Sequence, residues 1–158
     1  MNNPSQPSLE HALVVKRVFH APIDRVFEAW TNAERLARWF GPDGFTVVSA
    51  NIDLRIGGKY HITLRPPEGE HIEHFGEYVE IEPPKKLAFT WTLANQACPG
   101  GENQCAETLV TIQFTSQCQS TEVVLTHERL PNKAAYDGHK AGWNSTFDSF
   151  ENFILTNN

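Results

Sequence analysis

The stretch Pro131 to Leu155, PNKAAYDGHKAGWNSTFDSFENFIL, constrains the chain more than any other. Ala135, His139, Gly142, Trp143, Thr146, Phe147, Phe150 and Ile154 fall within one arc of roughly 140° at about 100° per residue, the stripe of a helix buried on one side. Lys133, Asp137, Asn144, Asp148, Glu151 and Asn152 occupy the opposite face. Asn132 after Pro131 is suited to be the N-cap. A helix of this length spans roughly 36 Å, enough to cross a small domain. Gly142 costs a helix interior about 1 kcal/mol relative to Ala, so its presence beside Trp143 implies a close approach of the backbone to a neighbour, expected to be a sheet.

The preceding chain reads as that sheet. His11 to His20 is rich in β-branched residues and predicts a first strand. Ala21-Pro22-Ile23-Asp24 turns into a helix with Pro22 in its first turn and Val26, Phe27, Ala29 and Trp30 on its apolar face. A short second helix is expected over Ala33 to Arg38, stopped by Gly41-Pro42 after Trp39-Phe40. From Phe45 the period becomes alternating. Strands are expected at Phe45–Leu54, Gly58–Leu64, His71–Glu82, Leu87–Leu93, Glu107–Phe114 and Thr121–Leu130. Leu87, Phe89, Trp91 and Leu93 share one side, as do Val110, Ile112 and Phe114, then Val123, Leu125 and His127, and also Tyr60, Ile62 and Leu64. The fold class is α+β: a seven-stranded, mostly antiparallel sheet around a long C-terminal helix, with two short helices after the first strand. One helix covers only part of such a curved sheet. The remaining inward face is expected to line a cavity, with Trp39 and Phe40 at its lid.

Composition bounds the function. The 158 residues fit one domain, expected over 11–158 after a disordered lead-in over 1–10. A net charge of −6 argues against nucleic acid or an anionic membrane as partner. No apolar run reaches the roughly 18 residues of a membrane span, and the N-terminus has no signal-peptide pattern, so the cytoplasm is the expected location. Cys98, Cys105 and Cys118 have neither disulfide-framework nor the usual zinc spacing and read as free thiols, although Cys98 and Cys105 flank a Pro-Gly-Gly stretch in the loop expected over Ala94 to Gln104 and could form a bridge or, with a histidine, a metal site.

Several motifs taken together resemble one family. They are Ala21-Pro22 before a helix, Trp39-Phe40-Gly41-Pro42, Asp53-Leu54-Arg55-Ile56-Gly57-Gly58, Pro83-Pro84-Lys85-Lys86-Leu87, Phe89-Thr90-Trp91 and His139-x-x-Gly142-Trp143. In this order, from about His11 to Leu155, they are similar to the activator of ninety-kilodalton heat-shock protein ATPase homologue-like family, of the START-like (SRPBCC) superfamily. The resemblance implies a helix-grip fold, usually with a deep apolar cavity, and no single activity. Members of the superfamily transfer lipids, bind hormones, cyclise polyketides, serve as oxygenase substrate domains or sequester toxins. The family's chaperone activators pair this domain with a separate N-terminal domain, which the sequence read here does not contain.

The expected ligand contacts are Trp39, Phe40, Tyr60, Tyr78, Trp91, His127, His139 and Trp143. The aromatic rings would form walls, and the phenols would orient a polar group. Two inward imidazoles can fix a ligand, shuttle a proton or hold a metal, and each also fits a single structural hydrogen bond. His71, Glu73 and His74 read as a solvated strand face, because alternation separates Glu73 from His74. No nucleophile elbow, phosphate loop, paired-carboxylate spacing or HExxH occurs, so no catalytic residue, metal or cofactor is assigned. The expected function is binding of a small apolar or amphipathic ligand. The rivals are a cyclase or hydrolase using His127, His139 or a tyrosine, and a co-chaperone of the heat-shock ATPase. Whether the chain forms a homodimer is left open.

Overall fold

The computed structural model describes residues 12–94 and 107–156. The expected lead-in, the start of the first strand at His11 and the loop after Ala94 with Cys98 and Cys105 lie outside them. The elements are β1 (Leu13–Phe19), α1 (Ile23–Thr31), α2 (Ala33–Leu36), β2 (Thr46–Ile52), β3 (Lys59–Arg65), β4 (Ile72–Glu82), β5 (Lys86–Ala94), β6 (Thr108–Gln117), β7 (Ser120–Glu128) and α3 (Lys133–Thr156). The seven strands form one antiparallel sheet in the order β1-β7-β6-β5-β4-β3-β2. Strands β2 to β7 form a meander, and β1 returns to pair with β7, joining the two ends of the chain.

Local chemistry sets the boundaries. Asn32 caps α2 by accepting the Arg35 amide at 3.1 Å, and Asn132 caps α3 by accepting the Ala135 amide at 2.9 Å. Helix α2 ends at Leu36, two residues before its expected end. The chain then tightens, with the Trp39 and Phe40 amides both reaching the Leu36 carbonyl, before Gly41 adopts φ +106° ahead of Pro42. Such a backbone favours glycine, which has no Cβ to clash. Pro83-Pro84, in the turn before β5, is a cis peptide.

Alternation works as expected on β3 and β7. Tyr60, Ile62 and Leu64 are buried, as are Val123, Leu125 and His127. On α3 the expected stripe is buried at Ala135, Trp143, Thr146, Phe147, Phe150 and Ile154, and Phe153 joins it. The C-terminal half of α3 is locked by aromatic rings. Phe150 lies 4.8 Å from Phe19 and 4.5 Å from Trp39, centroid to centroid, and Trp39 lies 4.6 Å from Trp30. The Phe19–Phe150 and Trp30–Trp39 pairs are edge to face, an arrangement that adds about 0.5–1.5 kcal/mol each beyond simple burial. This packing fixes α1, α2 and β1 against the grip helix.

Candidate functional site

At the other end of α3 the side chains shrink to Ala134, Ala135, Gly138 and Gly142, and a pocket of about 300 Å³ opens between helix and sheet. A Cβ built at Gly138 or Gly142 would meet nothing within 4 Å. This corrects the expected reason for Gly142. Its missing side chain leaves space to the pocket and makes no close approach to a strand. Opposite the helix lie Leu64 on β3, Ile72 and His74 on β4, and Trp91 and Leu93 on β5. Phe40 and the Gly41–Phe45 loop close one side, tied to α3 by the Asp43 amide donating to Ser145 Oγ at 2.8 Å.

Of the expected ligand contacts, Phe40, Trp91, His139 and Trp143 line this pocket. Trp39, Tyr60, Tyr78 and His127 lie outside its lining. Trp39 donates Nε1–H to the Ala29 carbonyl at 3.1 Å within the aromatic core. Tyr60 donates its hydroxyl to the Thr90 carbonyl at 2.6 Å, and burial raises the pKa of both Tyr60 and Tyr78. Both phenols border a separate void of about 20 Å³, room for no more than about one water.

Trp91 is the hub of the polar end, with rings of His74, Trp143, His127 and His139 at 5.0, 5.0, 5.9 and 6.4 Å. The indole N–H groups fix the state of two of the histidines, because an indole only donates. Trp143 donates to His127 Nδ1 at 3.0 Å, so the His127 proton sits on Nε2 and is donated to Thr108 Oγ1 at 2.7 Å. The Thr108 hydroxyl donates in turn to the Trp91 carbonyl at 3.0 Å. Trp91 Nε1–H donates to His139 Nε2 at 3.3 Å, and His139 Nδ1–H donates to the Ala135 carbonyl at 2.9 Å. Every ring nitrogen of this pair is occupied, and both imidazoles are neutral. Burial lowers the His127 pKa well below its usual value, with the nearby His139 adding to the effect. Burial lowers His139 as well, opposed by its bond to Ala135.

His74 is the exception. It is 8% exposed and lines the pocket, and its Nδ1 has no hydrogen-bond partner among the described residues. Burial lowers its pKa to about 3, against a weaker opposite pull from the backbone of Ile62 and Ile72. This corrects the reading of His71, Glu73 and His74 as one solvated face. His71 is exposed and Glu73 meets His61 at 2.9 Å on the outer face, whereas His74 points inward opposite Ile62 of β3 and Leu93 of β5. The signal was present in the alternation, because His74, Gly76 and Tyr78 share a face of β4 and Tyr78 was already taken as inward. Gly138, four residues before Gly142 on one helix face, was the other unread signal. No group of three metal-ligating side chains occurs among the described residues.

A sheet gripping one long helix, with a pocket beside that helix, defines an α+β protein of helix-grip type. The chain belongs to the family described as Activator of Hsp90 ATPase homolog 1-like protein, whose model matches residues 20–154, within the START-like (SRPBCC) type. Solved structures agree on the fold. A family protein of Silicibacter pomeroyi is 21% identical at a TM-score of 0.80, covering 93% of this chain and 99% of its own. A protein of Chromobacterium violaceum is 21% identical at 0.80, covering 92% and 97%. One from Nitrosomonas europaea is 21% identical at 0.77, covering 98% and 100%. No curated protein matches. Among the described residues no helix is long and apolar enough to cross a membrane.

Proposed function

We propose that the protein binds a small, largely apolar molecule in the pocket beside the first half of α3. The observation that carries this reading is the lining itself: about 300 Å³ bounded mostly by apolar and aromatic side chains, with no Asp, Glu, Lys or Arg among the described residues that line it. Small-molecule sites have this character, a shaped apolar volume with a few placed polar groups. Phe40, Trp91 and Trp143 form its aromatic wall, with His139 beside them. Trp39, Tyr60, Tyr78 and His127 support that wall from behind.

Binding is favoured over turnover by His127 or His139, because these two imidazoles have no free position. A general base needs an available lone pair within hydrogen-bond reach of substrate. Here each lone pair is taken by an indole, and each N–H by a hydroxyl or carbonyl. The test is titration with prodan, a neutral polarity-sensitive naphthalene dye, together with native mass spectrometry of freshly purified protein. Saturable uptake near one dye per chain, with a blue-shifted emission, supports the reading. Linear, unsaturable fluorescence and a bare protein mass would overturn it.

A further inference from the structure

Trp91 and Trp143, two walls of the pocket, are held by imidazoles through bonds of one kind, an indole N–H donating to a ring nitrogen. Such a bond exists only while the imidazole is neutral. An imidazolium carries N–H on both nitrogens and has no acceptor left, so an indole facing it meets a second donor. The two rings are not equally open to that change. His127 is fully buried, whereas His139 lines the pocket and is partly exposed. The bond from Trp91 to His139 is also the longer, at 3.3 Å against 3.0 Å. His139 Nδ1–H donates to the Ala135 carbonyl at 2.9 Å, a bond that a positive charge strengthens. An incoming proton therefore lands on Nε2, the atom that Trp91 uses.

We infer that acid regulates the pocket: a solvent proton taken up on His139 Nε2 breaks the bond from Trp91, frees that indole from its place in the wall and weakens ligand binding. This deepens the binding reading above and rests on it. Two effects lower affinity together. The Trp91 N–H loses its acceptor, and an apolar occupant shuts water away from a charged ring, which a buried cation resists. By linkage, occupant and proton oppose each other to the same degree. Among the described residues, the titratable groups that face His139 are His127 on β7, its ring 4.6 Å away, and His74 on β4 beyond Trp91. Strands β5 and β6 present Trp91 and Thr108, and on α3 itself Lys140 is turned to the Tyr136 ring at 5.9 Å. No carboxylate among the described lining residues stands there to hold the charge. A charge on His139 repels a second proton from His127, and burial opposes ionisation of both rings, most strongly at His127. His139 therefore charges first, so Trp143 keeps its bond while Trp91 is released.

Magnetic resonance of protein labelled at its indole nitrogens tests this without a ligand. The chain has four tryptophans, and Trp91→Phe identifies the Trp91 signal. Between pH 7.5 and 4.5 the Trp91 indole N–H signal should titrate. That of Trp39, bonded to the Ala29 carbonyl in the aromatic core, should stay fixed and report an intact fold. His139→Gln keeps an acceptor and cannot charge, so it should abolish the titration; the wild-type signals carry the test where that variant folds poorly. Prodan, uncharged over this range, should bind at least about threefold more weakly at pH 4.5 than at pH 7.5, and saturating dye should move the Trp91 midpoint to lower pH. A Trp91 signal that is flat with pH, or that titrates unchanged in His139→Gln, overturns the inference and leaves the pocket reading standing. So does a prodan affinity that is the same at both pH values. Trp39 moving together with Trp91 would mean unfolding and overturns it as well. Absence of prodan binding at pH 7.5 overturns the pocket reading and this inference with it.

Discussion

The two halves of α3 share one backbone and do opposite things. From Phe147 to Ile154 the helix presents large rings that are almost wholly enclosed, meeting Phe19 and Trp30 edge to face and Trp39 at a tilt. From Ala134 to Gly142 it presents small groups toward open space. The polar groups divide the same way. Histidines whose pKa burial lowers cluster about Trp91 at the pocket end. The difference teaches that the grip and the site are separable: one half fixes the helix, and the other is released from packing because its partner half does that work.

The largest test is Phe150→Ala. Removing a fully buried ring from the packed half should cost about 3–5 kcal/mol in denaturant unfolding. A loss below about 1 kcal/mol would mean that the far half is not the anchor. The next effect is acid sensitivity from the pocket half. His74 and His127 have folded pKa values below the unfolded value of about 6.5, so the unfolded chain takes up protons first as pH falls. Stability is then full above about pH 6.5 and declines below it, for His74 down to about pH 3. Between pH 7.5 and 5.5 His74 should remove about 1 kcal/mol, and His127 acts in the same direction. Urea melts at pH 7.5 and 5.5 measure this, and His74→Phe should shrink the difference by about 1 kcal/mol. A flat profile across that interval would contradict the buried neutral rings.

A smaller effect on folding but a large one on binding is expected from Gly142→Leu. The new side chain occupies pocket space, so prodan affinity should fall at least tenfold while the thermal midpoint holds or rises. Unchanged affinity would show that the dye sits elsewhere. The smallest is Gly138→Ala, which should raise stability by about 0.5–1 kcal/mol, because a helical glycine is replaced where a methyl group meets nothing. A destabilised Gly138→Ala variant would break the claim that this half is unpacked.

The sequence made the architecture readable because both of its periods were clean. Tyr60, Ile62 and Leu64, then Val123, Leu125 and His127, alternate without interruption, and the stripe from Ala135 to Ile154 keeps helical spacing. The aromatic wall was readable for the same reason. The indole–imidazole bonds were not, since they join residues 16 positions apart between Trp143 and His127, and 48 apart between Trp91 and His139. Strand register decides such pairs, and alternation alone does not give it. His74 was misread because its neighbours in sequence are outer-face polar residues. Only its partners Ile62 and Leu93 across the sheet reveal that it turns inward. Gly142 was read by the commonest reason for a buried glycine, a tight contact, when the structure supplies the opposite one.

The bare positions at Gly138 and Gly142 give this scaffold an adjustable dial. Each is one substitution away from carrying a methyl group, which would meet nothing within 4 Å and so would not touch the strands that hold the helix. Chains of this architecture can therefore shrink, reshape or abolish the chamber step by step while the far end of the helix keeps them folded. What one of them accepts is written less in its large residues than in the smallest ones on a single turn.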